Sequence, residues 1–508
     1  MHFNRRGLFA LAALPAIALR AGAQRARPAF SSNPFTLGVA SGDPSPDGFV
    51  LWTRLAPEPL AGGGLGDEEF DVRWEVAEDE RFRRVVRSGV AVADPRLAHS
   101  VHVEVAGLSP DRWYWYRFGA GGDESPVGRA RTMAGPESEP SRLTFAFASC
   151  QHFETGYYTA FEHLAAENPD LVLHLGDYIY EGSARPRVRA HQGAELTSID
   201  DYRNRYALYR TDRDLQNAHA ACPWIVTWDD HEVDNNYAAE ISEQQGVRPD
   251  AFLERRAAAY QAYYEHMPLR AAQIPRGPSM TLYRRLNFGR LAQFDVLDTR
   301  QYRTDQPCGD RTKPPCEATS DPAATLLGPR QRDWLLNGLE SSPALWNVLA
   351  QQIMMARVDR EPGEGIRYSM DQWSGYDAER DRLMGFFGEG RARNPVVITG
   401  DIHSNWVNDL LLDFDDPTSR VVATEFVGTS ISSSGDGGPN KEYAEGVMRD
   451  NPFVKLQNAQ RGYVSCELTP RLFTARYRVL DSVTRRGSPR KTLAEFVVAS
   501  GRPGAQRA

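Results

Sequence analysis

Residues 172–181 read VLHLGDYIYE, a short apolar run that ends in Gly-Asp, with a tyrosine three residues after the acid. Such a run is typical of a buried parallel strand, which would place Asp177 at the carboxyl edge of a sheet. Two further stretches repeat the pattern, WIVTWDDHE at residues 224–232 and PVVITGDIH at residues 395–403. Because open α/β folds build their sites at the carboxyl ends of strands, we expect these acids to converge on a metal site.

Length and charge limit the classes of protein to which the chain can belong. Its 508 residues predict about two domains, and its net charge of −8 argues against a nucleic-acid-binding surface. After the first residues, no stretch offers the ~18 consecutive apolar residues that a membrane span requires, so we expect no transmembrane segment in the mature chain. We also expect a monomer.

The first 23 residues are predicted to be a twin-arginine signal peptide. NRRGLF at residues 4–9 is followed by a mild apolar run and by the small residues AGA at 21–23. The alternative is a general secretory signal with an incidental arginine pair. The twin-arginine export machinery carries folded proteins, so a metal could be loaded before export to a periplasmic or secreted location.

Five cysteines follow the leader. Cys308 and Cys316 flank a polar loop with proline and glycine, for which we predict a local disulfide, two free surface thiols being the alternative. Cys222 and Cys466 lie in apolar, strand-like runs and are predicted to fill the core. Cys150 follows a predicted strand and is treated with the candidate site.

Residues 30–135 predict a small β-sandwich of immunoglobulin or fibronectin type, because short alternating strands are separated by turn signals. We expect the histidines of this domain, His99 and His102, to face solvent. Residues 135–140 have the composition of a linker.

From residue 141 to 500 the pattern changes to alternating strands and helices, which indicates a layered α/β domain. Helical patterns fall at residues 158–167, 199–209, 251–266, 331–339 and 378–387. Residues 462–479 return to a strand pattern, and we expect them to complete a second sheet of this domain.

The predicted strand ends carry side chains that bind metals: Cys150, Asp177, Tyr180, Asp230, Asp401 and His403. A dinuclear hydrolase needs a bridging carboxylate, several anionic or imidazole ligands and an open position for water. Thiolate and phenolate together favour ferric iron, whereas carboxylates suit Ca²⁺, Mg²⁺ or Mn²⁺. The residue types therefore predict two unlike ions.

Four motifs identify a family resemblance: SCQ at 149–151, GDYIYE at 176–181, WDDHE at 228–232 followed by NN at 235–236, and GDIHSN at 400–405. Together they resemble the PhoD-type alkaline phosphatases, a branch of the metallophosphoesterase-like proteins. The resemblance covers nearly the whole mature chain. It implies that the domain over residues 141–500 is a layered αββα metallophosphoesterase-like domain.

The resemblance also implies one Fe³⁺ with one or two Ca²⁺, and hydrolysis of phosphate mono- and diesters outside the cytoplasm by a metal-bound hydroxide. By motif position, iron would be held by Cys150, Asp177, Tyr180 and His403. Asp177 would bridge to calcium, with Asp230, Asp401 and more weakly Asn235 on the calcium side.

The candidate catalytic residues are Asp230 and His231. We expect His231 to contact a phosphoryl oxygen and to assist the leaving group, the alternative being that it only orients Asp230. A guanidinium would suit phosphate. The sequence does not choose among four candidates: Arg205, Arg210, Arg300 and Arg357.

Other residues near the motifs are assigned more ordinary roles. His152 stands where the wider superfamily has a metal-binding histidine, but an outer or rim position is the preferred reading. His174 is expected to be a core histidine. Residues 428–438 are expected to form a flexible surface loop rather than a phosphate-binding loop. The aromatic residues at 373–376 either line the cleft or pack beneath the following helix.

Three functions are compatible with these patterns. The leading one is an exported alkaline phosphatase or phosphodiesterase that acts on small phosphate esters. A phospholipase D-like activity on lipid head groups or other phosphodiesters is the second. The third is a surface-binding protein without catalysis, against which the intact set of candidate metal ligands argues.

Overall fold

The computed structural model describes residues 30–185 and 187–508, so the predicted signal peptide lies outside the described residues. The N-terminal part of this range consists of strands joined by short turns. They are β1 (Val39–Ser45), β2 (Gly48–Arg54), β3 (Phe70–Ala77), β4 (Val85–Ala93), β5 (Ser100–Val105), β6 (Trp113–Ala120), β7 (Asp123–Glu124) and β8 (Gly128–Arg131).

Strands and helices then alternate through the rest of the chain. The first group is β9 (Leu143–Ala148), α1 (Thr159–Ala166), β10 (Leu171–Leu175), α2 (Ile199–Arg210), α3 (Arg213–Ala221), β11 (Trp224–Thr227), α4 (Pro249–His266), β12 (Arg284–Phe288), β13 (Ala292–Val296) and β14 (Thr312–Lys313). The second group is α5 (Gly328–Glu340), β15 (Trp346–Ala350), β16 (Tyr368–Ser369), α6 (Asp377–Gly388), β17 (Pro395–Thr399), β18 (Asn405–Leu411), β19 (Val421–Val427) and α7 (Lys441–Asp450). The last strands are β20 (Val454–Asn458), β21 (Gly462–Leu468), β22 (Leu472–Leu480), β23 (Arg490–Ala499) and β24 (Arg502–Arg507).

Two large mixed sheets form the centre of the molecule. The first has the strand order β24-β23-β22-β21-β9-β10-β11-β1-β2-β5, and the second β12-β13-β15-β17-β19-β18-β20. Their facing sides share one apolar core, and helices cover both outer faces, α1 to α4 on the first sheet and α5 to α7 on the second. The predicted αββα layering is therefore observed.

The short central strands form because their side chains are apolar on both faces. All five residues of β10 are buried, as expected for a parallel strand covered by a helix layer on one side and a sheet on the other. The five predicted helices correspond to α1, α2, α4, α5 and α6 within a few residues. The prediction missed α3, although Asp212 caps it by accepting hydrogen bonds from the backbone N–H groups of Asp214 and Leu215.

The expectation for residues 462–479 is wrong. They form β21 and β22, and β21 pairs antiparallel with β9, so they extend the first sheet instead of completing the second. The second sheet is completed by β18, β19 and β20. Strand patterns alone do not specify the partner of a strand, and this explains the error.

The N-terminal strands pack as two layers, but one layer is shared with the following domain. β1, β2 and β5 continue the first large sheet through the parallel pairing of β1 with β11. β3, β4, β6, β7 and β8 form a separate sheet, whose inner side chains pack against those of β1, β2 and β5. In the described ranges, none of the helices has the length and apolar character required to cross a bilayer.

The prediction that the histidines of this part face solvent is wrong. His99 is only 6% exposed, and its Nε2 lies 2.9 Å from the carbonyl oxygen of Glu68. The ring of His102 stacks on Tyr264, and its Nε2 lies 3.0 Å from the carbonyl oxygens of Tyr264 and Met267. The end of α4 covers this strand face, which the local sequence could not indicate.

Candidate metal centre

Four strand ends deliver the candidate metal ligands to one place. Cys150 follows β9, Asp177 follows β10 and Asp230 follows β11, three neighbouring parallel strands of the first sheet. Asp401 and His403 follow β17 of the second sheet. Because the two sheets stack, their carboxyl ends bring these residues together, as the sequence predicted.

The backbone at these strand ends is conformationally unusual. Cys150, Asp177, Asp401 and His403 all have positive φ values, between 55° and 62°. Non-glycine residues rarely adopt this conformation, and it is maintained at functional sites where the surroundings enforce it.

Glu232 joins two of the strand ends. Its carboxylate accepts hydrogen bonds from the backbone N–H groups of Asp177 at 3.0 Å, Tyr178 at 2.6 Å and Asp229 at 2.9 Å. Burial raises the pKa of Glu232 to about 7. This buried side chain fixes the distance between the loops that follow β10 and β11.

The candidate ligand atoms form three overlapping groups, and within each group the atoms lie within 4.8 Å of one another. The groups are Cys150 with Asp177 and His403, Asp177 with Asp230 and His231, and Asp229 with Asp230 and Asp401. Asp177 belongs to the first two groups. A carboxylate shared in this way is what a bridging ligand between two ions requires.

Tyr180 belongs to the first of these groups by position. Its hydroxyl donates to Asp177 Oδ2 at 2.9 Å and lies 3.1 Å from His403 Nε2. Ser433 Oγ donates to the same hydroxyl at 2.7 Å. Thiol, phenol, imidazole and carboxylate therefore meet at one point.

Burial opposes charge on the donors of this group. It raises the pKa of the Cys150 thiol and of the Tyr180 phenol well above their ordinary values, and the Asp177 carboxylate adds to both shifts. It lowers the pKa of His403 to about 3, so this imidazole is neutral and free to act as a ligand. A cation at this point would stabilise the thiolate and the phenolate, which the protein alone does not.

Arg300 organises the carboxylates on the other side of Asp177. Its fully buried guanidinium lies 2.5 Å from Asp229, 2.8 Å from Asp371, 3.6 Å from Asp230 and 3.9 Å from Asp401. Burial would lower the pKa of Arg300, but these carboxylates raise it well above its ordinary value. Burial raises the pKa of Asp401 to about 6, against the opposing effect of Arg300.

The buried polar atoms without a partner support cation binding. Among the described residues, Asp177 Oδ1 and Asp229 Oδ2 are buried and accept no hydrogen bond. An unpaired buried carboxylate oxygen is costly, and metal coordination is one of the few ways to compensate it. The donor set and these free oxygens fit a two-metal centre.

His231 is held beside the centre by Glu181. Its Nδ1 lies 2.7 Å from Glu181 Oε2, and its ring centroid lies 4.1 Å from that of Tyr180. Burial would lower the pKa of His231, but the carboxylates of Glu181 and Asp230 raise it well above its ordinary value. The contact with Glu181 fixes the orientation of the His231 ring beside the centre.

The other two histidines near the motifs lie outside these groups. His152 Nδ1 accepts a hydrogen bond from the Glu154 N–H at 3.2 Å, and its ring stacks on His191, which is the outer position expected. His174 is buried, with its Nε2 3.2 Å from Gln151 Oε1, which confirms its role in the core.

Asn235 makes no hydrogen bond to Asp230 or Asp401, the carboxylates with which it was predicted to bind calcium. Its side-chain amide donates to Glu243, and its backbone N–H donates to Glu181 Oε1 at 2.9 Å. The next residue, Asn236, makes the closer contact, because its backbone N–H donates to Asp230 Oδ2 at 2.8 Å. The turn after β11 therefore places the backbone N–H of Asn236, and not the side chain of Asn235, beside Asp230.

Three of the four candidate arginines are engaged elsewhere. Arg205 donates to the carbonyl oxygens of Tyr180 and Glu181, Arg210 is buried over the Trp52 ring, and Arg357 pairs with Asp415. Arg300 lies at the centre, but two of its guanidinium nitrogens already donate to Asp229 and Asp371. None of the four lines the cavity described next.

A cavity of about 350 Å³ opens beside the first group. Its wall includes His152, His231 and His403 together with Arg185. Arg185 is exposed and forms no ion pair with any residue in the described ranges. Arg185 was not among the arginines predicted from the sequence, and only its position four residues after Glu181 could have suggested it.

Two expectations about neighbouring segments are resolved. The loop after β19 is not a flexible surface loop in its first part, because residues 428–433 are buried and Ser433 contacts both Tyr180 and the Cys150 carbonyl. Trp373 and Tyr376 are buried in the core beside α6 and do not line the cavity.

The disulfide between Cys308 and Cys316 is confirmed, and Cys222 and Cys466 are buried.

Two stacked mixed sheets with carboxylates and histidines at their converging strand ends define a metallophosphoesterase-like hydrolase. The sequence model of the PhoD-like phosphatases matches residues 145–477, and that of their N-terminal domain matches residues 21–134. The chain thus belongs to the PhoD-like phosphatase family, as its motifs predicted, and it is a phosphoric ester hydrolase.

Individual relatives agree with this assignment. The chain is similar to alkaline phosphatase D of Bacillus subtilis (strain 168), with 51% identity over 488 residues that cover 95% of this chain and 84% of the relative. A solved structure of PhoD superimposes with a TM-score of 0.92 at 51% identity, covering 95% of this chain and 93% of that one. The purple acid phosphatase PPD1 of yellow lupin (Lupinus luteus) seeds shares the fold at 10% identity, with a TM-score of 0.56 over 91% of this chain and 74% of that one.

Proposed function

We propose that the protein is an exported phosphatase that hydrolyses phosphate mono- and diesters at a centre of Fe³⁺ and Ca²⁺. The observation that carries the proposal is the sharing of Asp177 between two groups of candidate ligands. One group contains a thiol, a phenol and an imidazole, and the other contains mainly carboxylates. Two different environments around one shared carboxylate favour two different ions.

Cys150, Tyr180 and His403 would hold iron together with Asp177, since thiolate, phenolate and imidazole suit ferric iron. Asp230 and Asp401 would hold calcium together with Asp177, since calcium takes carboxylate oxygens. Asp229 is grouped with Asp230 and Asp401 and would be available to a second calcium, but one of its oxygens accepts a hydrogen bond from Arg300 Nε at 2.5 Å. When bound, such ions would lower the pKa of water and neutralise charge on the phosphoryl group.

The residues of the chain itself orient the ester and handle the proton. His231, oriented by Glu181, faces the cavity and in its protonated form can donate a hydrogen bond to a phosphoryl oxygen. It can also give a proton to the leaving alkoxide, which is the general-acid part of the reaction. Asp230 shapes this site through its contact with the backbone N–H of His231 at 2.8 Å.

Arg185 is the candidate for binding the anionic part of the ester. It lines the cavity, which none of the four arginines considered from the sequence does, and it forms no ion pair with a described residue. A hydrogen bond to a charged group is worth ~1.5 kcal/mol, which corresponds to about a ten-fold change in binding. We therefore expect Arg185→Ala to raise KM about ten-fold with little change in kcat.

The control for this variant is Arg382→Ala, which removes an exposed arginine of α6 on the far side of the second sheet. Both variants are assayed on the same chromogenic monoester. Equal KM values for Arg185→Ala and Arg382→Ala would exclude Arg185 from substrate binding.

The substrate class is tested by comparing three esters: a chromogenic phosphate monoester, the matching diester and phosphatidylcholine. We expect hydrolysis of the first two. Release of the head group from phosphatidylcholine at a higher kcat/KM would instead favour the phospholipase D-like alternative. Asp177→Ala serves as the inactive control for all three assays.

Export through the twin-arginine route is the remaining part of the proposal. The arginine pair at residues 5–6 supports it, because it stands in the expected order before the apolar run. Replacing both arginines by lysine should leave the enzyme in the cytoplasm. Normal appearance of that variant outside the cytoplasm would refute this route.

A further inference from the structure

A disulfide-closed loop lies against the carboxylate side of the candidate metal centre. We call residues 306–316 the bridged loop, since the disulfide joins Cys308 to Cys316. Cys308, Asp310 and Arg311 all have positive φ values, of 57°, 61° and 65°. Gly309 between them also has a positive φ, of 75°, and non-glycine residues persist in this conformation only where covalent or tertiary contacts enforce it.

The bridged loop holds the segment that orients Asp230. Asp310 Oδ2 accepts from Asn236 Nδ2 at 3.0 Å, and Gln306 Nε2 donates to the Asn236 carbonyl oxygen at 2.6 Å. The backbone N–H of the same asparagine donates to Asp230 Oδ2 at 2.8 Å. Two side chains of the loop thus fix the peptide that supports one proposed calcium ligand.

The bridged loop also holds the segment that orients Asp401. Gln306 Nε2 donates to Asp371 Oδ1 at 2.8 Å, and the Arg311 carbonyl oxygen accepts from the Met370 N–H at 2.9 Å. The short strands β14 and β16 pair at the same place. Gln372 Nε2, in the segment so held, donates to Asp401 Oδ2 at 2.6 Å.

The iron side lacks this support. Within residues 30–185 and 187–508, no hydrogen bond joins the bridged loop to Cys150, Tyr180 or His403. The contacts of that side come from other segments, among them Ser433 and Ser434, which contact Tyr180, the Cys150 carbonyl oxygen and His403. The two halves of the centre are therefore supported by different segments.

We propose that the bridged loop is the positioning element of the calcium half of the centre, with Gln306 and Asp310 as positioning residues. Opening the disulfide releases the strained backbone between them, so that Asp230 and Asp401 lose their fixed orientation. Calcium affinity then falls while iron stays bound. This inference rests on the proposed Fe³⁺ and Ca²⁺ centre.

The test compares calcium binding in holoenzyme variants from which only calcium has been removed by chelation. Cys308→Ser/Cys316→Ser opens the bridge without a reductant that would also attack ferric iron. Gln306→Met keeps the bridge and the side-chain length but removes both donated hydrogen bonds. Glu317→Gln is the matched control, because Glu317 is exposed and follows the bridge directly, and its side chain forms no hydrogen bond or ion pair in the described part of the chain.

Calcium is titrated by calorimetry, iron is measured by elemental analysis, and the visible absorption band is recorded for each variant. Supporting side chains around metal ligands typically change affinity ~10–100-fold. We expect the calcium Kd to rise at least about ten-fold in the first two variants, with iron content and the visible band unchanged. Activity should return at saturating calcium, which a general loss of stability would not allow.

Two results overturn the inference while leaving the proposed function intact: a calcium Kd within two-fold of wild type in both variants, or parallel loss of iron. A wild-type protein that binds no calcium overturns both proposals. The control variant distinguishes an effect of the contacts from an effect of any change near the bridge.

Discussion

Gly176 allows the ends of β10 and β11 to meet, and Gly176→Ala tests whether this close approach builds the site. A Cβ at this position would lie 2.4 Å from Asp229 Cβ, 2.6 Å from Asp229 N and 2.9 Å from the Trp228 carbonyl carbon. Backbone atoms cannot rotate away as a flexible side chain can. The φ of Gly176 is +106°, a conformation that alanine rarely adopts.

The expected cost has two parts. Holding a non-glycine residue in this backbone conformation costs about 1–3 kcal/mol. Overpacking against fixed atoms costs typically another ~1–3 kcal/mol. We therefore expect the free energy of unfolding to fall by roughly 2–6 kcal/mol. Because the displaced atoms belong to the turn that carries Asp230, metal content should fall as well.

Gly182→Ala is the matched control, six residues along the same motif. A Cβ at Gly182 meets no atom within 4 Å, so its effect should stay within about 0.5 kcal/mol of wild type. Urea denaturation gives the free energies, and elemental analysis gives the bound metals. Equal stability and equal metal content for the two variants would refute the argument from close approach.

Three further outcomes are expected. Asp177→Ala should lose both metals and all hydrolysis, and retained activity would contradict the bridging role. Arg300→Met in the metal-free protein should lower the free energy of unfolding by about 3–5 kcal/mol, because the Asp229 carboxylate stays buried without its ion-pair partner. Urea denaturation measures this change, and an unchanged urea midpoint would contradict the prediction. Burial would raise the pKa of Glu154, but hydrogen bonds from the backbone N–H groups of His191 and Ala184 outweigh it, so the pKa is lowered on folding. Ionised Glu154 therefore stabilises the folded state. This stabilisation is complete above the unfolded-state pKa of about 4.3 and is lost as pH falls through the folded-state value. Glu154→Gln should therefore lose less stability than wild type between pH ~6 and ~3.5, and parallel curves of unfolding midpoint against pH would contradict this.

The core of the site could be predicted because it depends on local sequence. Each candidate ligand follows a buried strand directly, and parallel strands of one sheet end at the same edge. Cys150, Asp177 and Asp230 therefore converge whatever the length of the connections between them. The Gly-Asp pattern predicts Asp401 and His403 as ligands too, but they follow a strand of the other sheet, and only the αββα layering implied by the family resemblance places that sheet against the first.

The surroundings of the site could not be predicted because they depend on distant contacts or on single turns. Asn235 and Asn236 are identical in type, and only the turn geometry makes the backbone N–H of the second contact Asp230. Arg185 differs from Arg205 only in what surrounds it, since one lines the cavity and the other binds backbone carbonyl groups. Ser433 is buried because its loop packs on the strand end that bears Cys150.

The placement of the last strands shows a similar limit. The alternating pattern of residues 462–479 correctly indicated strands, but the pairing of β21 with β9 is decided by two segments more than 300 residues apart. The pattern of apolar residues gives the buried face of a strand and does not name its neighbour.

The most direct test of the central claim is elemental analysis of the purified wild-type protein together with its visible spectrum. The proposed centre predicts one iron per chain, calcium in addition, and a visible charge-transfer band from Tyr180 or Cys150 to Fe³⁺. The tyrosine part of that band should disappear in Tyr180→Phe. A colourless protein that contains stoichiometric zinc would contradict the proposed pair of unlike metals.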